Sequence, residues 1–163
     1  MLSKQQLICE IEDAFAGVQL GGGLSLNQTK AVDNYRRGYS TEEFTRLPQH
    51  EVTDDWTQIP FEALDSADAL AHLDRRGFRY YIPALMLRLL DNYDPTSMMS
   101  IGTLSILYPK TESWEYLYSR LTKAQMRAIA HFLQSLPALV ELDTEDTKRV
   151  KRALRNYWAP YSE

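Results

Sequence analysis

Apolar residues recur at the three-and-four spacing of an α-helix through most of this chain, and that rhythm predicts its elements. Leu7, Ile11 and Phe15, with Ala14, form a first stripe. Ser3 and Gln6 make a capping box ahead of it, Leu2 can staple onto Leu7, and Gly17 closes the helix. A short helix is expected from about Leu26 to Arg37, turning Ala31, Val32 and Tyr35 inward. Another starts at Ser40 or Thr41 and ends before Pro48. Pro60 opens a short helix, and Ser66 to Leu73 gives a second, burying Leu64, Leu70 and Leu73. Thr122 and Gln125 cap a helix over Lys123–Leu136, with Pro137 as its boundary and Met126, Ile129, Ala130 and Leu133 as its stripe. The last helix is expected over Thr144–Trp158, burying Val150, Leu154 and Tyr157 with Ala153 and Trp158.

The run Gly77–Leu90 breaks the rhythm, being apolar on every side if wound as a helix, which predicts a buried central element. Pro83 lies inside it, so two helical pieces joined by a kink are expected. Ser100–Tyr108 is the one stretch that suggests extended structure, because its apolar residues partly alternate before Pro109. Together these elements predict a mainly α fold. It is an irregular compact bundle of about six to eight helices in a single domain over residues 1–163, with at most a short β pair.

Composition narrows the function classes. Net charge is −4 and the pI about 5.4, which gives no general attraction to nucleic acid or anionic membrane. A single cysteine, Cys9, excludes an internal disulfide and a cysteine-rich zinc site, and its place beside the main stripe suggests a small space-filling residue. No run is apolar enough to span a bilayer, and the first residues lack a signal-peptide core, so a cytoplasmic location is expected. Gly21-Gly22-Gly23 lacks the lysine and spacing of a phosphate loop and reads as a flexible connector. His72 reads as a solvated or structural histidine, and His131 as solvated.

The candidate site residues are polar groups near the central run. Arg79 is a cation in an apolar element and needs a carbonyl or carboxylate partner if buried; a carboxylate pair pinning two helices is expected. Tyr80 and Tyr81 adjoin it, and Asp33, Asp54 and Asp55 are the acids that could complete a pocket, with Trp56 anchoring its segment. His50 and Asp54 would share a helix face beside Glu51 and Asp55, but no metal-binding spacing appears, and neither metal nor cofactor is expected. Lys148, Lys151, Arg152 and Arg155 make a basic face on the last helix, next to a Glu145–Arg149 pair. Acids at the start of that helix and bases toward its end suit the helix dipole, so a solvated face is favoured over nucleic-acid binding.

Four motifs follow one another in a telling order: Leu20-Gly21-Gly22-Gly23-Leu24-Ser25-Leu26, Ala31-Val32-Asp33-Asn34-Tyr35, Asp55-Trp56-x-x-Ile59-Pro60, and Leu73-Asp74-x-x-Gly77-Phe78-Arg79-Tyr80-Tyr81-Ile82-Pro83-Ala84. With the closing Ala153-Leu154-x-x-Tyr157-Trp158, this order resembles a family of small bacterial proteins of unknown function. Asn34 stands where many members have a second aspartate, which weakens a paired-carboxylate site there. The resemblance implies a single-domain, bacterial, cytoplasmic protein and supplies no reaction.

No hydrolase, zinc-protease, nucleotide-loop or dinucleotide motif is present. The leading expectation is therefore a non-catalytic accessory protein that binds another protein, for instance to neutralise a toxin. The rival is a hydrolase-like enzyme in which Arg79, Tyr80 and one of Asp33, Asp54 or Asp55 converge on an open pocket. Nucleic-acid binding through the basic last helix is a third.

Overall fold

A computed structural model describes residues 1–34, 38–110 and 113–163. Among these residues there are nine α-helices and no strand: α1 (Lys4–Ala14), α2 (Leu26–Asp33), α3 (Thr41–Arg46), α4 (Phe61–Asp65), α5 (Arg75–Asp91), α6 (Met98–Ile106), α7 (Ser113–Tyr118), α8 (Lys123–Leu139) and α9 (Thr144–Ala153). Capping boxes at Ser3–Gln6, Ser25–Gln28, Ser40–Glu43 and Thr122–Gln125 satisfy the first amides of α1, α2, α3 and α8. The expected Leu26–Arg37 helix is seen to Asp33; Tyr35 and Arg37 lie outside the described residues.

The apolar run forms α5, and α5 touches α1, α4, α6, α7 and α8. Phe78, Tyr80, Tyr81, Ile82, Leu85, Met86 and Leu89 are buried on all its sides. Pro83 does not divide it: one helix runs from Arg75 to Asp91. Packing on every face keeps the turns on both sides of the proline helical, although its ring removes one backbone donor. Pro137 likewise sits within α8, which continues to Leu139 rather than stopping at Leu136.

Ser100–Tyr108 is mostly helical rather than extended. Ser97 caps α6 by accepting the Ser100 amide at 3.1 Å, and Met99, Thr103, Ile106 and Leu107 are buried at helical spacing. A helix surrounded by protein needs no polar stripe, and that erased its periodicity.

The last glycine of the triplet, Gly23, is a fitted contact and not part of a loose connector, while Gly21 and Gly22 are exposed. A Cβ on Gly23 would stand 2.8 Å from the Gly77 amide nitrogen, and one on Gly77 would stand 2.6 Å from the Leu24 carbonyl oxygen. Asp74 Oδ1 accepts from both Leu24 N (3.0 Å) and Gly77 N (2.8 Å), so one carboxylate caps α5 and fastens the loop to it.

Polar pins differ from those expected. Arg79 Nε donates to the neutral Gln125 Oε1 at 3.1 Å, and Gln125 Nε2 donates to the Ala14 carbonyl, so an amide joins α5, α8 and α1 in place of a carboxylate. The carboxylate pair belongs to Arg88, which grips Asp65 through two 2.8 Å bonds and lies 4.4 Å over the Phe61 ring. The Arg88 hydrogen bonds hold the Asp65 pKa below its ordinary 3.8, against a small burial effect. A depressed carboxylate contributes stability above its unfolded pKa and loses it as pH falls through the folded value. Asp65→Asn should therefore cost about 0.5–1 kcal/mol at neutral pH, a small figure because the carboxylate is substantially solvated. Urea denaturation of both proteins should show that difference shrinking as pH drops below about 4.

His131 is not solvated: Nδ1 lies 2.8 Å from Glu10 Oε2, and Nε2 lies 3.3 Å from the Ser162 carbonyl oxygen. His72 is exposed and pairs with Asp33 at 2.9 Å. Cys9 is exposed on α1, where Gln5 Nε2 approaches its sulfur at 3.6 Å. The expected Glu145–Arg149 pair is replaced by Lys148–Glu145 and Arg149–Asp146, at 3.0 and 2.7 Å. Asp146 is buried and also accepts from the Tyr93 hydroxyl at 2.7 Å, which draws Arg149 toward it.

Candidate functional site

The polar residues flagged near the central run do not share one concavity. Asp33 is exposed and bonds His72. Asp55 accepts from the Thr57 amide and hydroxyl, and Trp56, 4 % exposed, donates its indole N–H to the Phe15 carbonyl at 2.9 Å. Asp54, Asp55 and Trp56 line one recess with Glu12 and Val18. Tyr80 is wholly buried and donates to the Val52 carbonyl at 2.6 Å; burial, then Asp54, Asp55 and Glu51, push its pKa up. Arg79 bonds Gln125. Among the described residues, Tyr80 is enclosed and Arg79 turns to Gln125, so neither joins the recess of Asp54 and Asp55.

Tyr81 leads to a different place. The first three amides of α2 are each taken by a side-chain oxygen: Leu26 N by Tyr81 Oη at 3.3 Å, Asn27 N by Glu51 Oε1 at 3.3 Å, and Gln28 N by Ser25 Oγ at 3.1 Å. These are amides that no helix can satisfy internally. Glu51 and Tyr81 are thereby fixed on the wall of a recess of about 200 Å³ that Lys30, His50, Ile59 and Ala63 also line. Burial, then the Glu51 charge, raise the Tyr81 pKa, so the phenol stays neutral and keeps its proton. Glu51 Oε2 is buried without a hydrogen-bond partner.

A second recess, of about 390 Å³, lies beside α6 and α7. Leu73, Ile106, Trp114 and Leu117 give it an apolar wall, and the Trp114 indole N–H is buried there without an acceptor. Tyr116, 56 % exposed, stands on its edge with Arg75 5.2 Å from its ring centre, and Lys110 flanks the same recess. Neither Arg75 nor Lys110 has an ion pair among the described residues.

On the basic face of α9, Lys151 and Arg152 are exposed, Lys148 is paired with Glu145, and Arg155 bonds the Asn156 side chain. No group of three or more His, Cys, Asp or Glu among the described residues could hold a metal ion. No helix among them is long and apolar enough to cross a membrane.

The model of a family of unknown function, DUF6714, matches residues 3–162. The chain belongs to that family. No curated protein and no solved structure matches it. In this DUF6714 protein the recess residues Lys30, Lys110 and Tyr116 carried no sequence signal, because each is an ordinary surface residue until the fold gives it neighbours. Glu51 had one: the Ser25-x-x-Gln28 capping box marks the start of α2, and a helix start near an acidic stretch is a place for a carboxylate to dock.

Proposed function

We propose that the protein works by binding another protein through the recess beside α6 and α7, and not by catalysis. The observation that carries this reading is an aromatic, apolar hollow rimmed by two cations with no acidic partner among the described residues, Arg75 and Lys110. Trp, Tyr and Arg dominate binding energy where a partner covers them, and Trp114, Tyr116 and Arg75 supply one of each. An apolar wall between cations complements a segment that inserts aliphatic or aromatic residues and flanks them with Asp or Glu. The overall negative charge of the chain makes such a local positive rim selective, because acidic segments are repelled elsewhere.

Selection of displayed random peptides on the full chain tests this. Enriched peptides should carry acids beside apolar residues, weaken with added salt, and bind Tyr116→Glu about tenfold less well or worse. Tyr116 is exposed, so that variant should melt like the wild type. Peptides that bind Tyr116→Glu and Lys110→Glu undiminished would place the interface elsewhere.

A further inference from the structure

We propose that the recess at the start of α2 binds a free aliphatic α-amino acid, its ammonium facing Glu51 and its carboxylate facing Lys30. This is independent of the protein-binding recess, from which it differs in every lining residue.

The helix terminus is not itself the site, since its amides are already bonded to Ser25, Glu51 and Tyr81. Those bonds hold the two wall groups and leave each with unused capacity. Glu51 spends Oε1 on the Asn27 amide, while Oε2 is buried and accepts from nothing. An ionised carboxylate is acceptor-only, so only a donor can complete it. Tyr81 Oη receives the Leu26 amide, and its own proton has no acceptor among the described residues. Lys30, half-buried in the same recess, has no ion pair among the described residues. One incomplete anion, one free hydroxyl proton and one unpaired cation thus line a single hollow.

A zwitterion answers all three. Its ammonium meets Glu51 once the carboxylate turns to bring the enclosed Oε2 to the recess, loosening the long 3.3 Å bond to the Asn27 amide, and its carboxylate takes the Tyr81 proton donor and the Lys30 ammonium. A simple amine would meet Lys30 as a like charge, and a simple acid would meet Glu51 as one. The rest of the wall is apolar at Leu26, Val52, Ile59, Pro60 and Ala63, which suits a short branched side chain, and polar at Asn27, His50 and Ser66. The hollow of about 200 Å³ has room for about six or seven waters at roughly 30 Å³ each, the scale of one amino acid.

Thermal shift with each protein amino acid, followed by calorimetry with L-leucine, tests the proposal. Leucine, isoleucine or valine should raise the Tm in proportion to the logarithm of concentration once above the Kd. Isopentylamine and isocaproate, which are leucine without its carboxylate and without its ammonium, should each bind about tenfold more weakly or worse. Glu51→Gln keeps an oxygen for the Asn27 amide, and Lys30→Gln touches a side chain that makes no ion pair, so both should fold; each should weaken leucine by a similar factor. The inference is overturned if no amino acid shifts the Tm, if leucine binds both variants as it binds the wild type, or if isopentylamine matches leucine.

Discussion

Gly77→Ala should lower stability by about 3 kcal/mol, the upper range for overpacking, although it adds a better helix former. The gain from replacing glycine in a helix is at most about 1 kcal/mol. Against it stands a new methyl group 2.6 Å from the Leu24 carbonyl oxygen and 2.9 Å from Asp74 Oδ1. The first is backbone and the second is the carboxylate that binds both the loop and α5, so neither can move without loosening the other. A Tm drop of about 6–12 °C is expected for a chain of this size. Gly102→Ala is the matched control: its Cβ meets the Leu70 side chain at 3.0 Å, which can shift, so it should cost much less. A Gly77→Ala protein that melts with the wild type would mean that the loop yields, and that the glycine pair does not set the seat of the loop on α5.

Trp158→Ala should cost about 4 kcal/mol, within the range for deleting a buried tryptophan. Trp158 is wholly buried, donates to the Leu107 carbonyl at 2.7 Å, and has the Tyr118 and Tyr157 rings at 4.8 and 4.9 Å. Its removal opens a cavity where the end of the chain meets α6, α7 and α8. Trp158→Phe separates the two contributions. It keeps much of the apolar volume and loses the indole N–H, so about 1–3 kcal/mol should go with the abandoned carbonyl and the smaller ring. Urea denaturation followed by far-ultraviolet circular dichroism reads both. Equal costs for the two variants would assign the effect to the hydrogen bond alone; a neutral Trp158→Ala would show that the last turn contributes little to the fold.

Trp158 also shows where periodicity stops being informative. At about 100° per residue, Tyr157 falls within about 20° of Val150, and Trp158 about 80° away, so Tyr157 should be the more buried. The chain instead widens into a π-helical turn over Leu154–Trp158. Each residue there advances through a smaller angle, which returns Trp158 to the buried stripe and moves Tyr157 toward its edge. Arg79 and Arg88 make a similar point. Both are cations in the apolar run, and spacing along the chain cannot say which meets a carboxylate, since Asp65 and Gln125 arrive from other helices. The candidate recesses were less legible still. Of the candidate site residues only Tyr81 lines the α2 recess; His50 and Glu51 stood out in the sequence only as a conceivable metal stretch, and Glu51 and Lys30 gain meaning from atoms left unpaired around them.

By itself the sequence determined the class of fold, most helix starts and the central place of α5. Caps are local, and an all-round apolar run can be stable only inside. Tertiary structure alone decided that Pro83 and Pro137 stay within helices, that Ser100–Tyr108 is mostly helix, and that Gly23 and Gly77 are a contact. Each of these depends on what lies opposite in space, and packing from several sides outweighs a local propensity of up to about 1 kcal/mol for most residues and about 3 kcal/mol for proline.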